Sequence, residues 1–535
     1  MTLPAPRDKA TSPKVRGTFR DFVRTHERRR RLFPRALLVG LITGLVAVAF
    51  RICLEEIGTH LLHFISWAHQ VGLPGFIAVV TLGSVGGGLA VWITQRFAPE
   101  IAGSGIPFLK AVVHRLRPMI WWRILPLKFL GGLLAIGSGM ALGREGPTIQ
   151  MGGACGQWVG RWTRATSRER RSLIAAGAGA GLAAAFNAPL AGVLFVLEEV
   201  QRDFSAALLA AAFVAAVAAD LVARYFLGQS PLFYFDELAV PPLATIPWFV
   251  LLGVICGLLG VMFNRGLILG LDLFGPLAKR GGGLTGFLAG ALGGIAMWFF
   301  PAAASSGDGL LERVWSNQLG LVALGGFFLL RYLMTLTAYG SGAPGGIFAP
   351  MLVLGALLGA AVSQAADFLL PGMTVDPQIL AVVGMAAFFA AVVRGPLTAI
   401  VLIMEMTGGQ EILLQLLVAC FSAYIIAEAL GEKPVYEALL ARDLARSDEV
   451  PPPGEAVLMS FTVEQGARFE GRQLGEVGLP PGCLIVGIER RNGRVLGVPQ
   501  RDTRLMPGDK ISVLVDPEAG QAADALQEGL SQSGD

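Results

Sequence analysis

"GAGAGLAAAFNAPLAGVLFVLEE", residues 177–199, returns in altered form as "GMAAFFAAVVRGPLTAIVLIMEM", residues 384–406. At a constant offset of 207 (177 to 384), Gly177 meets Gly384, Pro189 meets Pro396 and Glu198 meets Glu405. Upstream, "GREGP" ends in Pro147 and "GGIFAP" ends in Pro350, and the intervals to the next matched prolines are 42 (147 to 189) and 46 (350 to 396) residues. Two elements in one order at nearly one spacing mark duplicated halves, about 34–230 and 243–430. Repeated apolar segments interrupted by Gly and Pro are the pattern of transporters whose broken helices meet near the bilayer midplane. An odd number of crossings per half makes the repeat inverted and puts both chain ends on one side, whereas an even number makes it parallel. The inverted form fits a basic start and a soluble tail on the same side.

Composition sets the solvent. Of 535 residues 53% are hydrophobic and 15% charged, with mean hydropathy +0.60, against about 25% charged in soluble proteins. The chain is read as an all-α polytopic membrane protein. Ala36–Phe50, Phe76–Thr94, Phe204–Ala219, Trp248–Phe263 and Ile412–Ala427 carry no charge and approach the roughly 20 residues of a spanning helix. Residues 1–33 form a polar, basic segment with an unbroken run from Arg28 to Arg31, which by the positive-inside rule stays cytoplasmic. No apolar h-region precedes the first span, so no cleaved signal is expected. The arginine run is read as a topology anchor near anionic lipid, not a nucleic-acid site. Cys53, Cys155, Cys256, Cys420 and Cys483 form no CxxC pair and are expected to be reduced. His60 and His63 share a helical face with Glu56, a spacing that arises easily by chance. No metal and no cofactor are expected.

Three segments have one format: "GSGIP" (103–107), "GREGP" (143–147) and "GGIFAP" (345–350), each a Gly-rich turn ending in Pro before an apolar run. Proline suits the first turn of a helix. The glycines allow close backbone approach, and free N–H groups with the positive dipole end favour an anion. Each motif alone is also compatible with a helix-packing turn; three in a repeated frame point to an anion site. Partial charges and hydroxyls bind moderately, so the ion can leave again. Ser104 supplies one hydroxyl.

"GSGIP", "GREGP", "FNAPLAGVLF" followed by Glu-Glu, "GGIFAP" and "KPVY" occur in the order found in the CLC chloride channels and chloride/proton antiporters, which the chain resembles over about residues 34–446. The resemblance implies two inverted repeats with broken helices, a homodimer and one pore per subunit. It implies a central anion site at Ser104, the backbone of Ile347 and Phe348, and Tyr436, with Gly103, Gly105, Gly143, Gly146 and Gly346 shaping it. It also makes Glu145 the gating glutamate. An ionised carboxylate at a helix N-terminus lies where an anion binds and blocks it; protonation removes the charge and lets it swing away. Arg144 is read as securing the loop or tuning the outer field.

Glu198 and Glu199 follow an apolar run, where an ionisable group is costly. Glu198 has a counterpart in Glu405, whereas Glu199 faces Met406. By the resemblance Glu199 is the internal proton-transfer residue, and its alternative is a solvated, inert carboxylate at a helix end. This favours a secondary-active chloride/proton antiporter over a passive chloride channel. A cation (potassium) carrier, suggested by the tail alone, is opposed by the helix N-termini. Lys110 and His114 stand where some antiporters of the family have acidic residues near the inner proton entrance. Lys128 matches a basic residue often found near the anion path, with snorkelling or a salt bridge as alternatives. Ser104 resembles chloride-selective members; bromide passes too, and nitrate is the less favoured substrate.

Composition changes again at the tail. A Pro-rich linker, 447–454, leads to short apolar strands at 456–463, 483–489, 494–498 and 510–515, with turns at Asn492-Gly493 and Pro507–Asp509. This predicts a small α+β domain over 455–517, then a loose tail, 518–535. The stretch resembles the TrkA-C (RCK C-terminal) domain, which implies dimerisation or regulation by a small ligand.

Overall fold

The computed structural model describes residues 13–202, 204–233, 240–370, 375–446, 457–490, 495–496, 499–515, 526 and 529–530, with the backbone alone for 13–31. The Pro-rich linker and the Asn492-Gly493 turn lie outside these residues. The chain divides into a helical unit that includes 119–447 and a small unit that includes 448–535.

In the helical unit, the first half holds α1 (Pro13–Val71), α2 (Leu73–Phe97), α3 (Ile106–Val113), α4 (Trp121–Gly137), α5 (Glu145–Trp162), α6 (Ser167–Phe186), α7 (Pro189–Phe195) and α8 (Ala206–Leu227). The second holds α9 (Ile246–Ala278), α10 (Leu284–Phe299), α11 (Asp308–Trp315), α12 (Leu321–Gly340), α13 (Phe348–Leu369), α14 (Pro377–Val393), α15 (Pro396–Thr407) and α16 (Leu413–Ala429). Helix α17 (Val435–Arg446) follows. Each helix of the first half thus has its partner eight places on. Among the described residues six helices, including α2, α8, α12 and α13, are long and apolar enough to cross a membrane. The protein is a multi-pass membrane protein of two inverted repeats.

Local sequence explains where the helices break. A capping box, Thr166 with Glu169, opens α6. Asn187, at φ 54°, closes it, and Pro189 starts α7 two residues later. In the second half Arg394, at φ 67°, closes α14 before Pro396 starts α15. Helix α7 runs on into a π-helical turn, Val196–Val200, which places Glu198 and Glu199 at its end. The halves pack internally by the same device. A side chain at Gly152 or Gly177 would collide with the other residue's carbonyl, and the same holds for Gly355 and Gly384. Only backbone-to-backbone contact fits these crossings of α5 with α6 and α13 with α14, as expected where small residues drive packing in lipid.

The small unit is a sheet of β1 (Val457–Thr462), β2 (Cys483–Glu489), β3 (Val495–Leu496) and β4 (Lys510–Val515), in the order β1-β4-β2-β3 with antiparallel neighbours. Ile511, Val513 and Val515 of β4 face the core with Ile488, Leu505 and Phe469, the period of two that a half-buried strand requires. Asp509 fixes the 507–509 turn by accepting from Met506 N at 2.8 Å and from Arg490.

Candidate functional site

Backbone hydrogen bonds join the three Gly-Pro loops. Gly103 N donates to Ala343 O at 3.2 Å, and Gly345 N donates to Gly103 O at 3.1 Å. Gly143 and Gly346 exchange both bonds, at 2.7 and 2.8 Å, as an isolated antiparallel bridge. These two residues are 203 apart, the separation of Pro147 from Pro350, so the bridge pairs equivalent positions. A pseudo-two-fold relation between halves demands such self-matching. A Cβ on Gly146 would lie 2.8 Å from Gly346 Cα and 2.9 Å from Ser104 O. The N-termini of α3, α5 and α13 therefore meet at one buried place, as the three motifs suggested.

Of the residues expected at the anion site, Ser104, Ile347 and Phe348 lie in or beside these loops and Tyr436 lies on α17. Ser104, Ile347, Phe348 and Tyr436 have no solvent exposure. Ser104 Oγ accepts from Ile106 N at 3.4 Å, and Tyr339, which the sequence reading did not single out, hydrogen-bonds Ser104. The Tyr436 hydroxyl has no hydrogen-bond partner among the described residues, which leaves a donor free for a ligand. The Phe348 ring lies 4.5 Å from Phe389 and 5.8 Å from both Phe186 and Phe195, measured between centroids. Left-handed backbone at Gly103 and Gly105, φ 58° and 77°, turns the first loop into α3.

Glu145 is 2% exposed, and its Oε2 accepts from Ala349 N, in the first turn of α13, at 3.4 Å. A carboxylate from one half thus sits over the helix N-terminus of the other. Arg144 turns toward α1, where Nη1 is 3.8 Å from Glu55 Oε1. Lys128 is buried, so it does not snorkel, and it forms no salt bridge among the described residues. Its fully buried Nζ donates to Ile101 O at 2.7 Å and Gly103 O at 2.6 Å, behind the GSGIP loop. Arg331, at the equivalent position 203 residues on, donates in the same way to Ala303, Ser305 and Ser306 carbonyls at 2.8 to 2.9 Å.

The adjacent glutamates diverge. Glu198 accepts from Leu397 N at 3.2 Å and Thr398 N at 2.8 Å, capping α15. Glu405 accepts from Leu190 N at 3.0 Å and Ala191 N at 2.8 Å, capping α7. Matched by the repeat, these two acids form a reciprocal pair. Glu199 is not a solvated helix-end carboxylate: it is 1% exposed, and Lys110 Nζ lies 2.6 Å from its Oε1. Arg202 approaches its other oxygen at 4.0 Å and pairs with Glu437. His114 closes α3 and hydrogen-bonds the backbone of Val200. His60 meets Glu56 at 3.1 Å on an exposed face.

The family model described as Voltage gated chloride channel matches residues 86–428. The chain belongs to that family. This family member also matches the TrkA-C domain over residues 458–527. It is 40% identical over 423 residues to an H(+)/Cl(-) exchange transporter ClcA of Vibrio parahaemolyticus, covering 76% of this chain and 89% of that one. A Salmonella typhi protein of the same name is 40% identical over 434 residues, covering 77% and 89%. Among solved structures, a slow cyanobacterial Cl-/H+ antiporter is 39% identical with a TM-score of 0.75, covering 78% of this voltage-gated chloride channel family member and 99% of the cyanobacterial chain.

Proposed function

We propose that the protein exchanges chloride for protons across the membrane, with Glu145 as gate and outer proton acid and Glu199 as inner proton acid. The observation that carries this is the Glu145 carboxylate over the first turn of α13. An acid that occupies the anion's own position couples proton binding to anion passage, because protonation and chloride entry both require the same carboxylate to give way. Chloride is held by partial charges: the three helix starts, the Ser104 hydroxyl and the Tyr436 hydroxyl. Gly103, Gly105, Gly143, Gly146 and Gly346 allow the backbone to approach the ion, and Ile347 and Phe348 present their N–H groups. Bromide follows chloride, with nitrate less favoured. The protein works as a homodimer with one pore per subunit and both ends cytoplasmic. The TrkA-C domain binds a small ligand or clasps the dimer.

The test is reversal potential in vesicles containing the full-length protein, with chloride and proton gradients imposed separately. A chloride gradient is expected to drive protons uphill under clamped voltage. Glu145→Gln is expected to remove both proton movement and the pH dependence of chloride flux, and Glu199→Gln to remove proton movement. Wild-type protein that moves chloride without protons makes the passive channel the right description, and a potential that follows potassium makes it a cation carrier.

A further inference from the structure

We infer that Lys110 is the inner proton relay, delivering its own ammonium proton to Glu199. This rests on the reading of Glu199 as the inner proton acid and adds the group that charges it. Lys110 is 3% exposed and Glu199 1%, and Nζ to Oε1 is 2.6 Å. Glu199 Oε2 has no hydrogen bond among the described residues, and Arg202 Nη2 lies 4.0 Å from it. Lys110 is therefore the side chain in direct hydrogen-bond contact with the acid.

Burial decides the route. If water protonated Glu199 while Lys110 stayed an ammonium, a buried cation would lose its counter-ion, the costly way to break such a pair. Transfer inside the pair leaves the net charge unchanged. The Nζ–H bond breaks with its electrons remaining on nitrogen, and an Oε1–H bond forms from a carboxylate lone pair. An ammonium and a carboxylate become an amine and a carboxylic acid. As Glu199 releases its proton toward Glu145, Lys110 takes a replacement from water in the same step, so that neither group is left as a lone buried charge and the starting pair is restored. Each step is reversible, as an exchanger requires.

The surroundings suit a lysine in this role. His114, four residues on, lies at the exposed end of α3 and marks the way to solvent. The charged and titratable groups around the pair are Arg202 after the π turn, Glu437 and Tyr436 on α17, His114 on α3 and Arg171 on α6. Arg202 is engaged by Glu437, and an arginine does not give up its proton in a protein. Lysine does so when buried.

Lys110→Arg separates relay from counter-ion, because it keeps the positive charge and removes the transferable proton. In vesicles of full-length protein, with proton uptake and chloride efflux recorded together, the ratio of protons to chloride is expected to fall at least about tenfold. Lys110→Met, of similar length and without a proton to give, is expected to fall likewise and serves if the arginine does not fit. Wild-type ratios in either folded variant overturn the relay and leave Lys110 a counter-ion. Glu199→Gln in parallel separates the failures: if it retains proton uptake, the assignment of Glu199 itself is wrong.

Discussion

The two halves hold the same scaffold and differ in their chemistry. Lys128 and Arg331 stand at one position of the repeat and tie down the turn before a short helix. Glu198 and Glu405 each cap a helix of the opposite half. Ser138 and Ser341 also correspond, each donating to a carbonyl three residues back, at 2.9 and 2.7 Å. Against these pairs stand the unmatched acids: Glu145 corresponds to Phe348 and Glu199 to Met406. Lys110, on α3, corresponds to Glu312 on α11 at the 202-residue separation of Gly105 from Gly307. Ionisable residues kept with the same charge in both halves hold the architecture, whereas Glu145, Glu199 and Lys110 have no counterpart of the same charge.

The largest expected break is at the centre. Gly146→Ala drives a methyl into the backbone of Gly346 and Ser104 at 2.8 to 3.0 Å, where no side chain can move aside. Its counterpart in the second half is Ala349, which already carries a methyl. Chloride flux is expected to vanish in Gly146→Ala and to persist in Ala349→Gly, measured in vesicles; normal flux in the former removes the close-packed centre from the account. Next come the two buried cations. Lys128→Met orphans the Ile101 carbonyl, since Gly103 O keeps the bond from Gly345 N, whereas Arg331→Met orphans three carbonyls, each orphan costing about 1–3 kcal/mol. Thermal unfolding in detergent is expected to fall in both, further in Arg331→Met. If Lys128→Met abolishes flux at a stability above that of Arg331→Met, Lys128 serves the anion path as well as the scaffold. The smallest effect belongs to the reciprocal caps. Glu198→Gln and Glu405→Gln each weaken a charged cap by about 1 kcal/mol with an unchanged proton-to-chloride ratio. An altered ratio in Glu198→Gln alone breaks the rule that matched acids are structural.

The sequence made the duplication legible because prolines and glycines keep their spacing where the backbone breaks. "GREGP" and "GGIFAP" showed that helix starts exist, and Pro at the first turn told where. It did not show that Gly143 and Gly346 bond to each other, since pairing between equivalent positions is a property of the symmetry axis and leaves no local pattern. Glu198 was separated from Glu199 by the repeat alone, yet its capping of α15 was hidden: the N–H groups it serves are about 200 residues away. Lys110 was visible as a departure from the family pattern, but its bond to Glu199 depends on how α3 packs beside the π turn. Arg331 and Tyr339 passed unnoticed inside apolar helical runs, although a lone arginine in such a run signals a buried partner.

The reciprocal caps also govern how the protein can be made. Helix α7 is complete early in synthesis, but the carboxylate that satisfies its first N–H groups belongs to residue 405. The Gly143 bridge waits likewise for residue 346. A nascent chain released from the ribosome before the second repeat would carry these backbone donors without the partners that satisfy them. The first repeat therefore lacks the partners of its own helix start and loop until its other half arrives.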